Sequence, residues 1–154
     1  MINQLLPQHI DNTYRGYKLA LWIFGLIVAV TTLQGIMVII DGYSIAVSAD
    51  GIPLDTYAPA AAQTVVALFA LLGLSRLILS SLCVLALVRY RSAVSFMFAL
   101  LVVEQLSKKL ILHFVPIVRT GTEPGPVINL ILLALMIVGL ALSLWKRGKS
   151  EMHS

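Results

Sequence analysis

Charge is scarce in this chain. Only 12% of its 154 residues are charged and 59% are hydrophobic, against about 25% and about 45–50% in an average soluble domain. A water-soluble fold of this size has too little interior to hide that much apolar surface. A disordered chain needs the opposite composition, low hydrophobicity and high charge. Cysteine is scarcer still. Cys83 stands alone in an apolar run, which excludes a disulfide framework within one chain and any cysteine-rich metal centre. Histidine occurs three times, as His9, His113 and His153. Only His113 lies in an apolar stretch, so a bis-histidine haem site within a helical bundle is not available. GxSxG, HExxH, P-loop and GxGxxG spacings are all missing, and with them the common nucleophile, zinc and phosphate-cradle signatures. Glu104 is the one acid inside an apolar stretch, too few for a two-carboxylate metal site. No metal and no cofactor are expected, and an enzyme is disfavoured.

What the chain does have is long apolar runs. A bilayer span needs about 20 mostly apolar residues. Four stretches qualify: 19–40 and 126–145 without a charge, 61–88 interrupted by Arg76, and 92–115 interrupted by Glu104, Lys108, Lys109 and His113. In hydrocarbon every backbone polar group needs an internal partner, and four strands cannot close a barrel, so the spans are predicted to be helices. The expected fold is all-α: a single domain, 1–154, forming an integral membrane four-helix bundle. The apolar core of a signal peptide is shorter than the first run, at about 7–15 residues, so 19–40 reads as an uncleaved span. Pro59 suits the first turn of the second helix. Arg89-Tyr90-Arg91 is a very short link and makes spans two and three antiparallel neighbours. Tyr14, Tyr17, Trp22, Tyr43, Tyr57, Tyr90 and Trp145 fall near span ends, as in aromatic interface belts.

The net charge of +4 and pI of 9.5 hint at nucleic acid when taken alone, but their distribution says otherwise. With the N-terminus cytoplasmic, seven bases lie inside (Arg15, Lys18, Arg89, Arg91, Lys146, Arg147 and Lys149) and only Arg119 lies outside. That bias follows the positive-inside rule. Both termini are expected in the cytoplasm, as for a multi-pass protein of the cell membrane, bacterial cytoplasmic membrane by the compactness and charge asymmetry. The lipid bilayer is the expected environment, and no nucleic acid is a partner. The outer loop, 41–60, carries Asp41, Asp50 and Asp55 and no base. Its Asp50-Gly51 between apolar runs is a hairpin signal; a plain connection on the membrane surface fits equally well.

The informative residues are the charged and polar ones within spans. A charge at the bilayer centre costs about 2.5–3.5 kcal/mol on insertion scales, so each needs a partner, a wet cavity or a route to the interface. Arg76 stands as far before Val88 as Glu104 stands after Ser92. Equal depth on adjacent helices predicts an Arg76–Glu104 ion pair. Glu104 and Lys108, at i, i+4, share one helix face, and Gln105, Lys109 and His113 fall on the same half of the helix, which should face the bundle. Gln34 and Asn129 lie in the outer halves of spans one and four. Together they suggest a cationic, outward-facing recess of Gln34, Lys108, Lys109, His113 and Asn129 for a ligand or partner, with Arg76–Glu104 as its floor. Asp41, Asp50 or Asp55 from the outer loop could instead fold over and neutralise the lysines. Gly25/Ala29 and Gly139/Ser143 have the small-xxx-small spacing that permits close helix approach. Three functions follow as expectations. The first is a non-enzymatic accessory, assembly or interaction subunit, covered by another membrane protein or by self-association. The second is an oligomeric small carrier or channel for an anionic or amphipathic solute. The third is a lipid- or quinone-modifying membrane enzyme.

Overall fold

A computed structural model describes residues 12, 14, 16–120 and 124–145. Among the described residues the chain is helical and contains no strand. Helix α1 (Lys18–Ile40) has no charged residue after Lys18. Helix α2 (Gly42–Ser48) follows after one residue. Helix α3 (Pro59–Arg89) opens on Pro59 at its first position, where the missing N–H costs no helical bond. One 3-10 turn, Arg91–Ala93, leads into α4 (Val94–Phe114), and α5 (Pro124–Leu144) completes the order. Pro124 and Pro126 lie in the first turn of α5, for the same reason as Pro59.

Three helices, α1, α3 and α5, are long and apolar enough to cross a membrane, and the chain is a membrane protein on that ground. Helix α4 has the length, 21 residues or about 31 Å, but three formal charges in its outer half set it apart. Large apolar side chains such as Leu26, Leu33, Leu68, Leu72 and Ile78 point outward around the helices, as a lipid-facing surface requires. Helix α3, 31 residues, is about 46 Å long, well beyond the roughly 30 Å of hydrocarbon. Its surplus lies at the N-terminal end, where Val65, Val66 and Phe69 pack on Ala46, Ile52 and Leu54 of a small second cluster.

That cluster corrects both loop expectations. The alternation Tyr43–Val47 forms neither a hairpin strand nor an irregular connection, but α2. Asp41 decides this: its side chain accepts the Ser44 N–H at 3.2 Å, an N-cap that satisfies one orphan donor of a new helix. The chain then reverses at Gly51, whose φ of 68° only glycine adopts cheaply. The reversal lets the Ile52 N–H reach the Ala46 carbonyl at 2.9 Å.

Helix α1 is the hub. It packs along α3 and α5, and α5 packs in turn on α4. Helices α3 and α4 are joined by a short link yet touch sparingly, leaving a seam between them. One close approach is α1 on α3, where a Cβ on Gly73 would stand 2.9 Å from the Gly35 carbonyl oxygen. Gly139 makes a second one: a Cβ there would run into the Phe98 ring, and Ser143, one turn on, hydrogen-bonds Ser95. Gly25, by contrast, meets only Leu87 at an ordinary 3.6 Å. The main core gathers Phe24, Ile27, Cys83, Phe98, Leu101 and Met136, with Phe24 and Phe98 edge-to-face at 4.9 Å. Lys18, Arg89 and Arg91 share the end of the molecule nearest this core. The remaining bases of the predicted cytoplasmic collar, Arg15, Lys146, Arg147 and Lys149, lie outside the described residues. At the other end α2 and its loop form a cap, tied down where Thr120 N–H donates to the Gly51 carbonyl at 2.9 Å and Gly125 N–H to the Ala49 carbonyl at 3.0 Å.

Candidate functional site

The buried stripe of every long helix gives way to polar residues as it runs toward the end of the molecule that carries α2. On α1 it passes from Phe24 and Ile27 to Thr31 and then Gln34; on α3, from Ala86 and Cys83 to Ser80 and then Arg76. On α4 it runs Val94, Phe98, Leu101 and then Gln105, and on α5 Ser143, Met136, Leu132 and then Asn129. The spacings of three, four and seven keep each series on one helix face.

These changes fall at one level. Phe24, Phe98 and Gly139 touch and define a reference layer. Gln34, Lys108 and Asn129 each lie ten residues outward from it along their own helices, roughly 15 Å. Arg76 joins them directly, since its Nη1 donates to Gln34 Oε1 at 3.1 Å. Gln105 lies seven residues out, level with Thr31, whose hydroxyl is 3.3 Å from that of Ser80. A polar layer therefore sits between the apolar core and the cap formed by α2 and its loop.

The bonds within this layer differ from the expected ones. Arg76 and Glu104 form no ion pair. Arg76 bonds Gln34, and Glu104 accepts from Lys108 within α4. The 3-10 turn explains the miss. Measured from the observed helix ends, Arg76 stands as far from Arg89 as Ser107, not Glu104, stands from Val94. The turn slides α4 by about a helical turn, so that Glu104 falls below Arg76 and Lys108 falls level with it. The i, i+4 geometry then supplies Glu104 with a local partner at no cost in closing the seam.

Burial sorts the remaining site residues. Gln105 is 6% exposed, and its side chain finds no hydrogen-bond partner among the described residues. Asn129 Oδ1 is likewise buried without a partner among them. The Lys108 and Glu104 side chains are 37% and 30% exposed, on the flank of α4 that turns from α5 toward the seam. Lys109 and His113 are exposed. The structure thus joins Gln34 to Arg76 by a hydrogen bond and Lys108 to Glu104 by an ion pair, sets Gln105 and Asn129 at neighbouring levels on their own helices, and leaves Lys109 and His113 on an exposed face of α4.

Asp50 overhangs the layer. A Cβ on Gly125 would come within 3.1 Å of its Oδ1, so the carboxylate stands over the first turn of α5, where an anion is favoured by the helix dipole. Burial pushes the Asp50 carboxyl above its ordinary value, while the charges of Arg119 and Arg76 pull it back. The outer-loop acid that reaches inward is therefore Asp50, and it answers Arg119 and Arg76 rather than the lysines. Among the described residues no group of three or more His, Cys, Asp or Glu side chains gathers to hold a metal. Chemically the layer offers one guanidinium, one ammonium shared with a carboxylate, and three amides. Groups of these kinds hold anions and amides by charge and hydrogen bonds, and among the described residues of the layer no nucleophile has a base beside it. Comparison with family models, with curated proteins and with solved structures gave no match, so the chemistry rests on the residues themselves.

Proposed function

We propose that the chain is a four-span protein of the bacterial cytoplasmic membrane, both termini cytoplasmic, that acts as a non-enzymatic accessory or assembly subunit of a larger membrane complex. The observation that carries the reading is the outer half of α4. Leu106, Lys109, Leu110 and His113 form an i, i+3, i+4, i+7 stripe, and all four are exposed. In hydrocarbon the Lys109 ammonium would cost about 2.5–3.5 kcal/mol unless covered or led to the interface. A partner's span supplies that cover, with the leucines packing and Lys109 meeting a polar or acidic group. A bundle with little loop and, among the described residues, no assembled catalytic group fits such a role better than chemistry.

The test is site-specific photo-crosslinking in membranes. A photoreactive residue in place of Leu106 or Leu110 is expected to give a protein product of one defined mass, a second copy of this chain included. The same residue in place of Leu72, exposed on α3, is expected to give lipid adducts alone. Lys109→Leu should weaken the Leu110 product. Lipid adducts alone from all three positions would overturn the reading.

A further inference from the structure

The polar layer is more than the stripe on α4 needs. We propose that Arg76, Gln34, Gln105, Lys108 and Asn129 form a binding site for an anionic head group, a phosphate or a carboxylate, inside the outer half of the bundle. The inference goes beyond the docking reading, because it concerns the interior of a single chain and either can fail alone.

Three independent observations support it. The first is an unmatched cation. Among the described residues Arg76 reaches no carboxylate within ion-pair distance and rests on a neutral amide, whereas the ammonium at its level, Lys108, has Glu104. A guanidinium presents a planar fork of donors that fits two oxygens of one phosphate or carboxylate. The second is an unpartnered buried amide oxygen. Asn129 Oδ1, on α5 at the level of Arg76, meets no hydrogen-bonding group among the described residues, and the buried Gln105 of α4 lies about one turn nearer the core. Buried polar groups are nearly always hydrogen-bonded, and an exception points to something the site accepts. An amide's oxygen and nitrogen can exchange places by a half-turn, so each can present N–H to an anion. The third is access. Helices α3 and α4 touch sparingly, and Lys108 and Glu104 line that side. The seam admits an amphiphile sideways, head toward Arg76 and tail among the apolar side chains; the outer end admits a small free anion past Asp50. Asp50, held over the layer within the field of Arg76, is the built-in competitor for the incoming charge.

The experiment uses the full chain, purified in mild detergent and then moved to nanodiscs of phosphatidylcholine with a minor fraction of phosphatidylglycerol. Native mass spectrometry reads the retained lipid. Inorganic phosphate, titrated against the detergent-solubilised protein with thermal unfolding as readout, forms the second arm. Preferential retention of phosphatidylglycerol supports a lipid-borne head group, and a phosphate-dependent rise in melting temperature without lipid preference supports a free anion. In either case Arg76→Gln is expected to weaken binding about tenfold or more, and Asp50→Asn to strengthen it. Lys109→Gln is expected to leave it unchanged. Because Arg76→Gln alters the α1–α3 contact, Asn129→Leu is the second variant. Removing an unpartnered buried amide should raise the melting temperature of the free protein while weakening binding, a combination that a purely structural role does not produce. Binding that survives both Arg76→Gln and Asn129→Leu, or no anion preference in either arm, overturns the proposal.

Discussion

Gly73 is the residue on which the close contact of α1 with α3 turns. Adding a methyl group there brings carbon to 2.9 Å from a backbone oxygen of α1 and 3.0 Å from Ile39, and neither the Gly35 carbonyl nor the helix that holds it can step aside. Overpacking of this kind costs about 1–3 kcal/mol. Gly25 sits one face away with room for the same methyl group, and there replacing glycine by alanine in a helix is worth about 0.5–1 kcal/mol of added stability. Unfolding of the purified protein by denaturing detergent, followed by circular dichroism, is expected to show Gly73→Ala destabilised and Gly25→Ala unchanged or stabilised. A shift of the same sign in both would mean that α1 and α3 do not meet at Gly35 and Gly73. The spacing Thr31-xxx-Gly35 carries the small-residue signal for this contact, just as Gly25/Ala29 does. Which of the two is used depends on how α1 and α3 rotate against each other across the intervening cap, 41–58, and no local pattern encodes that rotation.

At the scale of elements, the cap is held by short-range chemistry that titrates. Asp50 is pushed above its ordinary value by burial, against the attraction of Arg119 and then Arg76. The folded state therefore binds a proton more tightly than the unfolded chain does. The resulting stabilisation is present below the ordinary carboxylate range and is lost as pH rises through the raised value of Asp50. Asp50→Asn, which carries no proton to lose, should match the wild type at the acidic end of that window and become progressively the more stable of the two as pH rises. Melting temperatures of both proteins in detergent across this range provide the check; a constant difference would mean that Asp50 is not buried under the cap. The same element shows how far local sequence reading reaches. The four long helices begin and end within two residues of the apolar runs, because hydrophobic length and proline punctuation are local. The helix α2 was legible too, in Asp41 followed three residues later by Ser44, but the period-two alternation of apolar residues competes with that cap signal. The partner of Arg76 was not legible. It depends on one 3-10 turn at Arg91–Ala93, and a slide of about one helical turn exchanges Glu104 for Lys108 at its level.

For the whole molecule, the decisive question is where α4 stands. Helices α1, α3 and α5 account for three crossings by length and composition, and three crossings would put the two ends of the chain on opposite sides of a membrane. The geometry argues for a fourth. Lys18, the 89–91 link and Trp145 lie at one end of the molecule, while the cap and Arg119 lie at the other, with Thr120 bonded to Gly51. Helix α4 connects these two ends alongside α5, so if α5 crosses, α4 crosses with it, and its charges are carried inward as part of the polar layer rather than left at a surface. Single cysteines test this directly, because the native Cys83 is 1% exposed and contributes little labelling. Tyr57, Tyr90 and Val118 are all exposed, at 38%, 37% and 72%, and mark the cap, the α3–α4 link and the α4–α5 link. With a membrane-impermeant maleimide on intact cells, Tyr57→Cys and Val118→Cys are expected to label, and Tyr90→Cys only after permeabilisation. Labelling of Val118→Cys together with Tyr90→Cys, but apart from Tyr57→Cys, would show that α4 does not cross. It would also remove the hydrocarbon argument for covering Lys109. Labelling of Tyr90→Cys alone in intact cells would keep four crossings and invert the orientation that Lys18, Arg89 and Arg91 set by the positive-inside rule.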